Sequence, residues 1–437
     1  AAKAHLIESN MQAIRLGFDF AHENFACPLP SRVEAMDATA TNIIIDGNTA
    51  AGLGCMYAGA TVGAWYPITP STSLMDSFRS FCSRYRVDPE TGKNTYAIIQ
   101  AEDELAAIGM VVGAAWNGAR SFTPTSGPGI SLMSEFIGFA YYAEIPTVIF
   151  NVQRTGPSTG MPTRTQQCDL LSCAYASHGD TKHVLLFPAD PAECFYMAPQ
   201  AFDFAERLQT PVMVMSDLDI GMNDWMVPEL EWDDSYIPDR GKVLSAEQLE
   251  DMENFYRYLD VDGDGIPYRS LPGVHPKGSY FTRGSGHTKL GAYTEDSAAY
   301  QDVVDRLLVK WETARKTLPK PEIRYSKFNK AGIITLGSGH GACVEALDRL
   351  AAKDIGLNYC RIKAFPFSEE VSEFIAQHEV VYVVEENRDA QLRSLLINDI
   401  EAEQTKLVAL LHYNGMPINS GFVVDKVLEE IAKGRAA

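Results

Sequence analysis

Between residues 42 and 216, short apolar runs alternate with helical stretches. Runs at 43–45, 96–100, 121–125, 147–152, 183–187 and 211–216 are continuous rather than alternating in hydrophobicity. Runs of this kind, separated by helices, predict a parallel sheet covered on both faces. The first run leads through Asp46-Gly47-Asn48 into a predicted small-residue helix over 49–60. The pattern resumes at Gly332 with a strand over 333–336, a helix over 342–352, a strand over 359–363, a helix over 368–377 and a strand over 380–385. The intervening segment, about 223–324, is rich in Trp, Pro, Gly and Asp, and only 246–258 and 297–317 read as helical. It predicts a long linker with ordered loops. Residues 1–40 read as a helix over 4–21 followed by a connector through Pro28, Pro30 and Ser31. No internal repeat relates these segments.

The fold class is therefore α/β, and a length of 437 residues predicts two or three domains. A net charge of −20 argues against nucleic acid or an anionic membrane as partner, since both need clustered Lys and Arg. Any anionic substrate must be held by a few particular cations. No run approaches the roughly 20 apolar residues of a membrane span. Cys27, Cys55, Cys82, Cys168, Cys173, Cys194, Cys343 and Cys360 are scattered, with no Cys-x-x-Cys. They predict free thiols of a reducing cytosol and no metal or iron–sulfur centre built by this chain alone.

Four Gly- or Pro-rich segments fall where strands should end, the edge at which open parallel sheets bind ligands. Tyr66-Pro67-Ile68-Thr69-Pro70-Ser71-Thr72-Ser73 presents hydroxyls on a stiff backbone; it could equally be a turn leading to a helix capped by Ser71 or Thr72. Gln100-Ala101-Glu102-Asp103-Glu104 opens a small-residue helix. The helix dipole accounts for Glu102 and Asp103, whereas Glu104 lies where burial favours a carboxyl that holds or shares a proton. Thr125-Ser126-Gly127-Pro128-Gly129 permits close approach of a backbone or a ligand. In the fourth, Arg154-Thr155-Gly156-Pro157-Ser158-Thr159-Gly160-Met161-Pro162-Thr163, a guanidinium stands ready for a carboxylate substrate or for a structural salt bridge.

Two other patterns are incomplete. Gly337-x-Gly339-x-x-Ala342 follows a strand, but Arg361 and Lys363 stand where a dinucleotide site needs an acid, so a tight strand-to-helix turn is expected. Asp260-x-Asp262-x-Asp264-Gly265 matches half a calcium loop, with Leu271 at the place of the bidentate Glu. Asp260, Asp262 and Asp264 could hold a cation or simply form a turn.

In their order and spacing, the four segments resemble the α subunit of 2-oxoacid:ferredoxin oxidoreductases, from about residue 42 to the C-terminus. The resemblance implies a thiamine-diphosphate-binding fold: a pyrimidine-type parallel-sheet domain at 41–225, an extended linker at 226–329 and a transketolase C-terminal-like α/β domain at 330–437. Asn10-Met11-Gln12-Ala13-Ile14-x-x-Gly17-Phe18 resembles the end of a γ-type domain, of which 1–40 would be the tail. The resemblance also implies a β subunit carrying the diphosphate-binding domain, Mg2+ and a [4Fe-4S] cluster, joined in an (αβ)2 assembly that shares thiamine diphosphate. The missing diphosphate clamp agrees, since Gly263-Asp264-Gly265 has no Asn pair downstream. Glu104 is implied as the glutamate on the cofactor's aminopyrimidine ring, and Arg154 and Thr163 as the binders of the substrate carboxylate. Thr69 is implied beside the reacting carbonyl, with Tyr66, Pro67, Ile68 and Gly127 beside the cofactor. The loop from Asp262 to Gly273 resembles the 2-oxoglutarate members. That implies cytoplasmic, coenzyme A-dependent oxidation of 2-oxoglutarate to succinyl-CoA with ferredoxin, or the reverse carboxylation of a reductive tricarboxylic acid cycle. Pyruvate, branched-chain 2-oxoacids and a non-catalytic scaffold are the alternatives.

Overall fold

The structure, a computed structural model, describes residues 4–26, 31–39, 41–327 and 330–434. Cys27, Pro28 and Pro30 of the expected connector lie outside the described residues, as do 435–437. The chain divides into two compact units, Ala1–Asn42 and Ile43–Ala437. The first contains the helix Ala4–Asn24, with Leu6, Ile7, Met11, Ile14 and Phe18 exposed.

The second unit contains two larger sheets. In spatial order the seven-stranded sheet runs Ala364–Phe365, Val184–Leu186, Pro211–Asp217, Thr147–Gln153, Ser121–Thr125, Val62–Trp65 and Ala97–Gln100. All its pairings are parallel except that of the short edge strand Ala364–Phe365. Thr147–Gln153 and Pro211–Asp217 are buried at every position, as continuous apolar strands between helical layers must be.

Two expectations about this sheet need correction. Val62–Trp65 is an interior strand, next to the edge strand Ala97–Gln100, that the apolar pattern does not reveal, because Gly63 and Ala64 carry little hydrophobic signal; Gly63 is small because the Met75 side chain presses on it. Conversely, the apolar run at 43–45 does not join the main sheet. Its strand, Asn42–Ile45, pairs with Trp225–Pro228 in a separate two-stranded sheet.

The five-stranded sheet runs Leu407–Leu411, Val380–Glu385, Ala331–Leu336, Asn358–Ile362 and Glu322–Arg324, with the last strand antiparallel. Its inner residues, among them Ile333, Tyr359, Tyr382 and Val408, form a core of their own with helices Gly339–Ala351 and Ser420–Ala432.

The linker is tied down by charge. Helix Ser297–Thr317 sends Arg306 and Lys310 to the fully buried Glu144, with Lys310 Nζ at 2.7 Å from Glu144 Oε2. These cations hold the Glu144 carboxyl far below the ordinary carboxylate range, against the opposing effect of burial. The predicted helix at 246–258 stops at Asp251, after a Ser245/Gln248 capping box. No described helix is long and apolar enough to cross a membrane.

Candidate active site

The four candidate segments follow the carboxyl ends of four adjacent strands, Thr147–Gln153, Ser121–Thr125, Val62–Trp65 and Ala97–Gln100. Residues scattered from Tyr66 to Arg154 therefore share one sheet edge, where such folds bind ligands.

Glu104 is the first residue of helix Glu104–Trp116, whose N-cap Asp103 accepts Ala106 N–H at 2.7 Å. The cap leaves Glu104 free for another task. It is 6% exposed, and among the described residues no hydrogen bond or ion pair reaches its carboxylate. A carboxylate without a protein partner is unusual on a residue so largely enclosed. Its neighbour across the edge is Gly129, where a Cβ would lie 3.1 Å from Glu104 Cγ and would overlap the Thr125 hydroxyl. Gly127 opens helix Gly127–Tyr142 and is small for a similar reason: a Cβ there would lie 2.9 Å from both carboxylate oxygens of Asp169.

A cavity of about 490 Å3 is lined by Gly127, Arg154, Cys168 and Asp169 on one side and by Asn387 and Arg388 of the second sheet's loops on the other. Arg154 is 7% exposed. Its Nη1 donates to the Thr69 carbonyl at 2.6 Å and its Nη2 to the Thr159 carbonyl at 3.1 Å, while its Nε has no partner. Burial lowers its pKa and Asp169 opposes that shift. Neither contact is a salt bridge, and among the described residues no carboxylate forms an ion pair with Arg154.

Thr69 is thereby joined to Arg154 through its backbone. Its own side chain and those of Tyr66 and Pro67 are exposed, and Ile68 is half-buried. Ser71 does stand at the N-cap of helix Thr72–Tyr85, but it makes no side-chain cap bond: the hydroxyls of Ser71 and Thr72 turn back to the Ile68 carbonyl at 3.0 and 3.2 Å. Thr163 is exposed and is not among the residues lining the Arg154 cavity; its carbonyl accepts from Arg164 Nη1 at 2.8 Å.

The aspartate cluster already contains a cation. Lys242 Nζ lies 2.6 Å from Asp262 Oδ1, 2.8 Å from Asp264 Oδ1 and 2.9 Å from the Ile266 carbonyl. Asp260 accepts the backbone N–H groups of Gly263 and Gly265 at 2.9 and 2.8 Å. One oxygen from each of Asp260, Asp262 and Asp264 lies within 4.8 Å of the others, close enough to hold a cation, and Lys242 already pairs with two of the three, so both the cation and the turn alternatives stand. Arg361 is likewise committed, to Glu193 at 2.6 and 2.7 Å and to Glu322 at 3.1 Å, which leaves no ribose partner at the Gly337 turn. The seven described cysteines are free; six are buried, and burial pushes the half-buried Cys168 thiol up to about 12.

Sequence reading missed the residues that join the cavity's two walls. Ser338 Oγ lies 2.5 Å from Asp217 Oδ2, 2.8 Å from Glu386 Oε1 and 2.9 Å from Gln167 Nε2. A hydroxyl donates one proton, and the amide donates to it, so one of the two carboxyls must itself carry a proton. Burial, reinforced by Asp217, raises Glu386 well above the usual carboxylate range.

With this geometry in place, relatives can be compared. Residues 53–256 match the family described as "Pyruvate flavodoxin/ferredoxin oxidoreductase, thiamine diP-bdg". A 2-oxoglutarate synthase subunit KorA of Archaeoglobus fulgidus is 30% identical over 392 residues, covering 90% of this chain and 98% of the relative. The chain belongs to the family of 2-oxoacid:ferredoxin oxidoreductase α subunits. The α subunit of Saccharolobus solfataricus 2-oxoacid:ferredoxin oxidoreductase is 33% identical over 404 residues, 90% of this chain and 62% of the relative. This α-subunit chain therefore spans about three-fifths of that relative's length.

A solved 2-oxoglutarate:ferredoxin oxidoreductase from Magnetococcus marinus, with 2-oxoglutarate, coenzyme A and succinyl-CoA bound, superposes with a TM-score of 0.85 at 29% identity. The match covers 97% of this chain and 71% of that one. A split-gene transketolase, at a TM-score of 0.50 and 13% identity over 88% of this chain and 97% of that one, shows shared fold alone. The α subunit thus has a thiamine-diphosphate-type parallel-sheet domain together with a transketolase C-terminal-like α/β unit.

Proposed function

We propose that this α subunit forms half of an active site that oxidises 2-oxoglutarate to succinyl-CoA with coenzyme A and ferredoxin, or runs the reverse carboxylation. The observation that carries the proposal is the Glu104 carboxylate, left without a protein partner among the described residues on a side chain that is 6% exposed and packed closely against Gly129 at the strand edge. An aminopyrimidine fits such a place, since its ring nitrogen offers the partner that the protein withholds. Glu104 would hold the proton shared with that nitrogen. Bound thiamine diphosphate supplies a carbon nucleophile for the 2-oxo group.

Arg154 would bind the 1-carboxylate, exchanging its bonds to the Thr69 and Thr159 carbonyls for a charge-assisted pair. Thr69 would position the reacting carbonyl, Thr163 would assist after its loop moves, and Tyr66, Pro67, Ile68 and Gly127 would wall the cofactor. The pyrimidine-binding domain is assigned to 41–225, the linker to 226–329 and the transketolase-like domain to 330–437. The diphosphate clamp, Mg2+ and iron–sulfur cluster belong to a β subunit in this reading, in an (αβ)2 assembly working in the cytoplasm.

Two observations support the 2-oxoglutarate subclass: the Archaeoglobus relative's name and the ligands of the Magnetococcus structure. The family description names pyruvate, which keeps a pyruvate-specific enzyme as the second reading. Reconstituted αβ complex supplied with coenzyme A and ferredoxin should turn over 2-oxoglutarate in preference to pyruvate, 2-oxoisovalerate and indolepyruvate. Clear preference for pyruvate would overturn the subclass.

A further inference from the structure

The glycine turn at 337–339 lies where the two large sheets join. Gly337 has φ +55°, and a Cβ there would overlap Gln167 Nε2. The missing side chain lets the Gln167 amide reach Ser338 Oγ at 2.9 Å and Asp217 Oδ2 at 2.8 Å. Ser338 Oγ in turn meets Asp217 Oδ2 at 2.5 Å and Glu386 Oε1 at 2.8 Å. Asp217 ends a strand of the seven-stranded sheet, whereas Ser338 and Glu386 each follow a strand of the five-stranded one.

The two oxygen–oxygen contacts of Ser338 need one proton each. The hydroxyl supplies one, and the Gln167 amide donates only to oxygens already engaged. The second proton therefore rests on the Asp217–Glu386 pair and belongs to it as a unit. Glu386 is faced by Asp217 and by Asp219 of helix Leu218–Met222, and Cys343 of helix Gly339–Ala351 lies in its field. Asp217 is faced in addition by Cys194 of helix Pro191–Leu208. None of these groups is a cation, and among the described residues Asp217, Asp219 and Glu386 form no ion pair. Without the second proton, two buried carboxylates would confront each other across one hydroxyl.

This cluster grips one wall of the Arg154 cavity. Gln167 N–H donates to the Glu386 carbonyl at 2.9 Å, and Asn387 Nδ2 donates to the Gln167 carbonyl at 3.1 Å. The next two residues, Cys168 and Asp169, line the cavity, and Cys168 Sγ donates to the Arg154 carbonyl at 3.4 Å. We propose that the cluster is a proton-dependent latch: one proton held between Asp217 and Glu386 at Ser338 keeps the second sheet's loops on the Gln167–Asp169 wall, and its loss to solvent at alkaline pH releases them. The unfolded carboxyls lose that proton near their ordinary value of 4.5, so the latch contributes in full below it and fades as pH rises through the folded value.

Urea unfolding of the full chain between about pH 6 and 8 tests the latch, because each proton held only by the folded state raises the unfolding constant about tenfold per pH unit. Glu386→Gln keeps a donor for Ser338 but has no proton to lose. Its unfolding constant should therefore rise by a factor about tenfold smaller per pH unit than that of the unmodified chain. Neutron diffraction from deuterium-exchanged crystals of the unmodified chain at neutral pH should show one deuteron on each of the two Ser338–carboxyl contacts. Equal pH slopes, a single deuteron, or a metal ion in that place overturns the proposal. If Glu386→Gln does not fold, the neutron map decides.

Discussion

Glu104 owes its setting to side chains that are missing around it. Gly129→Ala would place a methyl against Glu104 Cγ and the Thr125 hydroxyl. We predict a stability loss of about 1–3 kcal/mol by urea unfolding, with a greater proportional loss of turnover in the complex; unchanged stability would show that the edge is roomier than described. Arg154→Met should raise the KM for the 2-oxoacid by about tenfold or more, the worth of one charge-assisted hydrogen bond. An unchanged KM would place the substrate carboxylate elsewhere.

Two acids, the buried Glu385 and the half-buried Glu193, pull the pH dependence of stability in opposite directions. Burial raises Glu385 to about 7, so its contribution is present in full below the unfolded value of 4.5 and is lost as pH rises through 7. Arg361 and Lys363 lower Glu193 to about 2 against the effect of burial, so its contribution holds above 4.5 and is lost as pH falls toward 2. Glu385→Gln should flatten the decline of unfolding free energy between pH 4.5 and 7, a slope worth about 3 kcal/mol. The same decline in the variant would assign it to another group. Glu104 and Arg154 could be singled out in the sequence because each sits in a compact motif. The Asp217–Ser338–Glu386 arrangement could not, since its members lie up to 169 positions apart and meet only through tertiary packing.

At the scale of elements, continuous apolar runs revealed most strands of both sheets, while the four-residue strand Val62–Trp65 escaped through its Gly and Ala. The order of the strands, which brings the four segments to one edge, follows from crossover connections that local pattern does not encode. The aspartate loop shows the same limit. Its spacing suggests a metal, and the cation seen there comes from Lys242, twenty residues before Asp262. With Lys242 on two of the three aspartates, millimolar calcium should leave the Tm of the unmodified chain unchanged, while Lys242→Met should lower stability by about 0.5–2 kcal/mol in urea titration. A calcium-dependent rise in the unmodified chain would decide for the metal alternative.

Within the unit Ile43–Ala437, the two large sheets meet around the Arg154 cavity and are fastened near it by Gln167, Ser338, Asp217 and Glu386. In the function proposed above, this chain would provide a proton-holding carboxylate, Glu104, and a substrate guanidinium, Arg154, while a β subunit would provide the remainder. The chain alone should then be inactive. The most direct test is turnover of 2-oxoglutarate by αβ complex reconstituted with Glu104→Gln, with assembly checked by size-exclusion chromatography. The account predicts intact assembly and a rate reduced at least about 100-fold, on the scale of removing a positioned acid–base group; near-normal turnover would contradict it.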